Sequence, residues 1–311
     1  MRPDSLDDAP DALDQRAVRR AFARAARTYD SAAVLQREVG ARMAERLDPV
    51  KLAPAVILDG GCGTGDALPV LATRYPAARR IALDLAHPMV VQARERHGEH
   101  RSRLARVASA LRGRDTPAPL FVTADLIALP LASASVDLVW SNLALQWVND
   151  LPRALAEIHR VLRVGGLAMF TTLGPDTLRE LRLAFRGVDA HPHVSRFVDM
   201  HDIGDMLVHA GFADPVMHME RLTMTYRDPQ ALLHDLKHLG ATNATQARSR
   251  GLFGRARWQK AIAALEAMRV DGRIPATFEV VYGHAWKAQP SRTAEGHAIV
   301  HLPTPSRRRA P

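Results

Sequence analysis

Val56-Ile57-Leu58-Asp59-Gly60-Gly61-Cys62-Gly63-Thr64-Gly65 is the stretch on which the reading of this chain turns. Three aliphatic residues run into an acid, a glycine-dense turn comes next, and an apolar, partly helical pattern begins near Ala67. That order predicts a buried strand, a tight turn and the start of a helix. Glycines at alternate positions 61, 63 and 65 remove side chains where a ligand could press on backbone. Because the turn opens a helix, its backbone N–H groups face the same space. A ligand-free glycine-rich turn has the same local signature, so residues at fixed distances downstream must decide between the two.

Ile81-Ala82-Leu83-Asp84 is a second short apolar run ending in an acid, 19 residues after Gly65. At the end of a second strand, two carboxylate oxygens suit the vicinal hydroxyls of a ribose. Phe121-Val122-Thr123-Ala124-Asp125 is a third such run, followed by Leu126 and Pro130. There Asp125 could accept from the exocyclic amine of a base while Leu126 packs on its ring. Val136 to Trp140 reads as a fourth strand, and Asn142 comes where a strand end would face the same crevice. Leu151, Leu155, Ile158 and Leu162 mark an amphipathic helix, with Gly165-Gly166 as its stop and 167–173 as a fifth strand. The alternation predicts an α/β fold: a mostly parallel sheet, helices on both faces, and a ligand outside the strand carboxyl ends. Asp66 stands where the third glycine of a dinucleotide-binding G-x-G-x-x-G would fall, so NAD is the poorer fit.

Ahead of the glycine turn, residues 1–14 are acidic, contain Pro3 and Pro10, and read as unstructured. Val18, Phe22, Ala25 and Tyr29 then share one helical face, with Arg16, Arg19, Arg20, Arg24 and Arg27 around the rest. Asp30-Ser31 is expected to end this helix and cap the next, on which Leu35, Val39, Met43 and Leu47 repeat. Such helices either pad the sheet edge or fold over the ligand mouth with Tyr29. After the turn, Leu68, Val70 and Leu71 carry a helix, and His87-Pro88-Met89 opens another.

The chain of 311 residues is 47% hydrophobic, enough for one large α/β domain with or without a small cap. Lys+Arg 42 against Asp+Glu 33 gives +9, which suits an anionic partner or serves only solubility. Seven arginines and two acids between 94 and 114 form either a solvated helical insertion or a docking surface. Residues 228–273 read as a helical insertion with Leu232, Leu233, Leu236 and Leu239 on one face. Seven basic residues and two acids from Arg248 to Arg273 make it a docking candidate. Residues 288–311 read as a flexible tail. Cys62 is the sole cysteine, so no intrachain disulfide forms and a reducing cytoplasm is expected. No apolar run reaches the length of a membrane span, and the acidic N-terminus is neither signal nor transit peptide. His191, His193, His201, His209 and His218 lack cysteine company and are read as non-metal residues.

As a set, Asp59 to Gly65, Asp84 and Asp125-Leu126 resemble the motifs of class I S-adenosylmethionine-dependent methyltransferases, over about residues 55–173. The resemblance implies a Rossmann-like, seven-stranded sheet with an antiparallel last strand, for which 216–226 and 277–286 are the final candidates. It also implies a cofactor site of Asp59, Gly60, Gly61, Cys62, Gly63, Gly65, Asp84, Leu85, Asp125, Leu126 and Asn142. Three further segments resemble the malonyl-[acyl-carrier protein] O-methyltransferases of biotin biosynthesis: 22–30, 172–182 with 193–204, and Glu279 to Trp286. The arginine-rich stretch and the extension after 288 depart from that family. Methyltransferase-like assembly factors of respiratory complex I share Gly-x-Asp-Thr-Leu-x-Glu-Leu-Arg, here 174–182.

By this resemblance a methyl group passes from S-adenosylmethionine to the free carboxylate of a malonyl thioester, borne by an acidic acyl carrier protein or CoA. A carboxylate is already ionised at neutral pH, so no general base is expected. Arg182 and Arg196 are candidates for a planar contact to that carboxylate, against a solvated helix face and a structural salt bridge. Tyr29 and Trp147 are candidates for closing the pocket, although Trp147 also reads as a core aromatic. The rivals are a methyltransferase acting on another small acid or a quinone precursor, and an RNA-binding or assembly protein. Aromatics at 5% make a base-stacking RNA platform the weaker of these. The expected organisation is one monomeric methyltransferase domain, 15–287: helices over 15–48, a cofactor core over 55–173 and a substrate-side half over 174–287.

Overall fold

The strand that leads into the glycine turn, β1 (Val56–Gly60), is buried on both faces, with Ile57 in one core and Leu58 in the other. In this computed structural model residues 12–98, 117–249, 251 and 253–289 are described. Residues 1–11, the arginine-rich stretch from 99 to 116 and the tail from 290 lie outside them. The remaining strands are β2 (Arg79–Asp84), β3 (Leu120–Thr123), β4 (Val136–Ser141), β5 (Leu162–Leu173), β6 (Ala213–Tyr226) and β7 (Ile274–Trp286). They form one seven-stranded sheet of order β3-β2-β1-β4-β5-β7-β6. The first five pair in parallel. β7 runs antiparallel to both β5 and β6 and lies between them. Reversal of strand order beside β1 leaves a crevice at the carboxyl ends of β1 and β4.

Helices α1 (Gln15–Ala25), α2 (Tyr29–Ala32) and α3 (Val34–Glu45) precede the sheet. Asp14 caps α1 by accepting from Ala17 N–H at 3.0 Å. The four-residue repeat on α3 is a core face, with Leu35 and Met43 in the cluster that also holds Ile57, Leu138 and Trp140. α4 (Ala67–Arg74) and α5 (His87–His97) come after β1 and β2. Leu68 and Leu71 are buried on α4, whereas Val70 faces solvent. α6 (Leu151–Val161), capped by Asp150, covers the opposite face through Leu155 and Ile158. α7 (Arg179–Phe185) and α8 (Met200–His209) lie between β5 and β6, and α9 (Pro229–His238) and α10 (Arg255–Glu266) between β6 and β7. On α9, Leu232 and Leu236 join the first core.

Two local expectations are corrected. Asp30 and Ser31 lie inside α2, and α3 starts at Val34 after Ala33, which offers no side-chain cap. The Asp30 carboxylate is used elsewhere: it accepts from Thr64 Oγ1 at 2.5 Å and pairs with Arg96 at 2.8 Å. Gly165-Gly166 does not stop α6, because Leu162 is already extended and belongs to β5. The helix end is satisfied instead by the Lys287 ammonium, which donates to the carbonyls of His159 and Leu162 at 2.7 and 2.8 Å. The glycines absorb an irregularity within β5, where pairing to β4 shifts between Val136 and Leu138.

Candidate active site

The glycine turn is clamped to the end of β2. Gly61 and Cys62 donate their N–H groups to Leu83 O at 2.8 and 2.9 Å, and Gly63 N–H reaches Asp84 Oδ2 at 2.9 Å. Asp84 Oδ1 accepts from Ala86 N–H at 2.8 Å, so both carboxylate oxygens are oriented by backbone. Burial pushes the Asp84 carboxyl up, and the N–H bonds from Ala86 and Gly63 only partly oppose it. Asp125, past the end of β3, accepts from Ile127 N–H at 3.1 Å.

Gly61, Gly63, Asp84, Leu85, Asp125, Leu126 and Asn142 line one crevice, together with Tyr29 and Trp147. The other four predicted cofactor residues do not line it. Asp59 is 2% exposed, its Oδ2 has no partner among the described residues, and Gly60, Cys62 and Gly65 sit around the turn. The glycines therefore have different physical reasons. A Cβ on Gly65 would fall 2.7 Å from His97, so its bareness serves packing on α5. A Cβ on Gly61, at φ +78°, would fall 2.2 Å from Ala144 Cβ. Gly61→Ala is expected to cost about 2–4 kcal/mol of stability and most cofactor affinity, read by thermal unfolding and calorimetry. Asn142 is braced: Nδ2 donates to Gln36 O at 2.9 Å and Oδ1 accepts from Thr171 Oγ1 at 2.7 Å.

Two acids at neighbouring strand ends, an apolar wall of Leu85, Met89 and Leu126, and backbone at Gly61 and Gly63 fit an adenosyl ligand with a compact polar tail. Desolvation first, then Asp84, Asp66 and Asp30, pushes the Tyr29 phenol far up, so it stays protonated at neutral pH. Its ring edge lies 3.7 Å from where a Gly63 Cβ would be. The Asp30 bridge to Thr64 and Arg96 ties α2, which carries Tyr29, to the turn and to α5.

Beside the crevice is an inner chamber that shares Phe22, Tyr29, Leu143 and Trp147 with it. Trp147 is half-buried and meets Phe22 edge-on, with ring centroids 5.1 Å apart. It is thus a partition between two cavities. The inner chamber is mostly apolar, walled by Leu178, Leu181, Tyr226, Leu236 and Phe278 among others. An outer chamber shares Gln146, Leu173, Val194, Ser195 and Phe197 with it. Arg182 and Arg196 come together there, in the outer chamber, and neither lines the inner one. Arg182 donates to the carbonyls of Pro175 and Thr177 at 2.9 and 3.3 Å, while Arg196 is exposed. Sequence reasoning missed Gln36, Gln146 and Ser195 in the inner chamber and read His193 only as a non-metal residue. No periodicity or spacing singles them out, because their chemistry depends on distant segments meeting.

Among the described residues, no cluster of His, Cys, Asp and Glu could hold a metal ion, and no helix is long and apolar enough to cross a membrane. A family model described as a methyltransferase domain matches residues 58–170. The YcgJ protein from Bacillus subtilis shares the fold, with a TM-score of 0.55 at 17% identity over 81% of this chain and 99% of that one. The sheet is that of the class I methyltransferases. A malonyl-[acyl-carrier protein] O-methyltransferase from Gallionella capsiferriformans is 54% identical, covering 93% of this chain and 96% of the relative. One of the same name from Laribacter hongkongensis is 55% identical over the same shares. Identity of that extent along nearly the whole of both chains means that this chain belongs to the malonyl-[acyl-carrier protein] O-methyltransferase family.

Proposed function

We propose that this chain methylates the free carboxylate of a malonyl thioester on an acyl carrier protein, with S-adenosylmethionine as donor, giving the methyl ester that primes pimeloyl synthesis for biotin. The observation that carries the reading is the inner chamber, which shares four side-chain walls with the crevice. When bound, the cofactor supplies an electrophilic methyl group on a sulfonium. Asp84 would hold its ribose hydroxyls, Asp125 and Leu126 its adenine, and Gly61 and Gly63 its methionine portion. Asp59, Gly60, Cys62 and Gly65 act by shaping the turn, and Asn142 by bracing α3 against β5. Tyr29 and Trp147 exclude water from the partition, which removes the hydration that would blunt a carboxylate nucleophile. No base is required, because the acceptor is already ionised.

Arg182 and Arg196 in the outer chamber draw the anionic substrate inward. Arg196→Ala is expected to lower kcat/KM by about tenfold or more while S-adenosylhomocysteine affinity stays within about twofold. Unchanged turnover on the malonyl carrier would remove Arg196 from the path. Exposed Arg255 and Arg257 on α10 offer a face for an acidic carrier, so the rate should fall as salt rises. Among the described residues of the 248–273 stretch, Arg248, Lys260, Arg269 and Arg273 are occupied by Asp14, Gly187 O, Glu266 and Thr225 with nearby carbonyls, which narrows that face to Arg255 and Arg257 on α10.

The proposed form is a cytoplasmic monomer, which the lone cysteine suits, and its working unit starts ahead of residue 15, because Ala12 and Leu13 line the outer chamber and Leu13 bridges Thr245. Incubation with methyl-labelled cofactor and either malonyl-carrier or malonyl-CoA tests the function. A base-labile methyl ester is expected on the carrier-bound substrate. Label on a quinone precursor or another acid instead, or on nothing, would overturn the reading.

A further inference from the structure

Under the function proposed above, the inner chamber must receive a carboxylate among apolar side chains, and an ion there needs a partner. No arginine or lysine is among the described residues that line it. One lining side chain can carry a positive charge, and that is His193.

His193 is held from three sides. Its Nε2 bonds Asp189 Oδ1 at 2.9 Å. Its ring stacks on Phe185, with centroids 4.0 Å apart and planes 23° apart. Phe253 meets the ring edge at 5.6 Å. The Asp189 side chain is only 6% exposed, and its Oδ2 has no partner among the described residues. Burial pushes its carboxyl up, but the bond from His193, with the His191 N–H, outweighs this and holds it below the usual range. A buried carboxylate on one imidazole nitrogen fixes the ring orientation. The other nitrogen, Nδ1, has no hydrogen-bond partner among the described residues.

Neighbouring charges are committed elsewhere. Arg182 on α7 serves two carbonyls, Lys260 on α10 donates to Gly187 O, His191 faces Ala247 O, and Arg196 lines the outer chamber.

We propose that His193, held by Asp189, pairs with the free carboxylate of the acyl group in the inner chamber and sets the preference for a dicarboxylic acyl chain. One carboxylate oxygen is bound through Nδ1–H and the other is left for methyl transfer. Methylation removes the acceptor's charge, so the ester no longer matches the site and leaves. The two arginines guide the substrate inward, and the histidine holds it.

The test compares binding of malonyl-loaded and acetyl-loaded acyl carrier protein to the full chain by calorimetry, without cofactor. The wild-type chain should prefer the malonyl form. His193→Gln, and His193→Phe with its stack on Phe185 retained, should reduce that preference by about 10- to 100-fold, the usual worth of a charged hydrogen bond. Affinity for the acetyl form and for S-adenosylhomocysteine should stay within about twofold in both variants. Retention of the malonyl preference in either variant overturns the inference. A wild-type chain that forms no malonyl methyl ester overturns the function beneath it, whatever the variants do.

Discussion

Asp84→Ala is expected to lower affinity for S-adenosylmethionine by about 100-fold or more, the largest loss from any single change in the crevice. Two effects add. The carboxylate organises the turn by accepting from Gly63 and Ala86, and bonds to charged groups contribute about 1.5–3 kcal/mol each. It also lines the crevice where a ribose diol would lie. Asp84→Asn separates these roles, because its amide can keep one acceptor but turns two hydrogens toward backbone N–H or ligand. Its loss should be intermediate. The raised Asp84 carboxyl adds a pH signature: only the ionised form accepts from both sides. Affinity should therefore weaken on acidification, starting above the ordinary carboxylate range. Calorimetric titration with S-adenosylhomocysteine reads all three, and a folded Asp84→Ala protein of wild-type affinity would exclude Asp84 from the site.

Asp59→Asn should change how stability depends on pH more than any other carboxyl replacement. Asp59 lies beneath the turn, 2% exposed, without a cationic partner among the described residues. Burial, then Asp84 and Asp66, push its carboxyl from 3.8 to about 8. The folded pKa exceeds the unfolded one, so between those values the folded chain keeps a proton that the unfolded chain has released. Stability then falls as pH rises through that window, by at most about 1.4 kcal/mol per unit, and levels off above it. Asparagine stays neutral throughout. The melting temperature of Asp59→Asn, taken relative to wild type, should therefore climb by several degrees from pH 5 to pH 8. A constant difference across that range would mean that Asp59 is ionised in the folded chain.

The sheet and its crevice are legible in the sequence because their causes are local. A strand, a glycine turn and an acid at a strand end leave marks within about ten residues, and Asp84 and Asp125 meet the crevice where the spacing implies. Where local reading fails, the cause is distant. Asp30 reads as a cap for the helix next to it, but Thr64 and Arg96 recruit it across the fold. Gly165-Gly166 reads as the α6 terminus, but the carbonyls there are met by Lys287 from the far end of the chain. The acceptor side is least legible for the same reason. Arg182 and Arg196 do share a cavity, as their common neighbourhood suggests. The inner chamber, however, draws walls from α1 through β7, and no single segment carries its pattern.

The position of β7 bears on how the chain is made. Among the described residues it is the last strand in sequence, yet it sits between β5 and β6. A chain leaving the ribosome can pair its first five strands as they emerge. It then waits with the outer edge of β5 unpaired while more than a hundred further residues are synthesised. β6 cannot shield that edge in native register, because its neighbour is β7. An open strand edge is where chains associate wrongly, so the nascent protein is most exposed to aggregation just before Ile274–Trp286 appears. Cofactor residues are complete long before then, but the acyl chamber closes only when Phe278 arrives with the final strand.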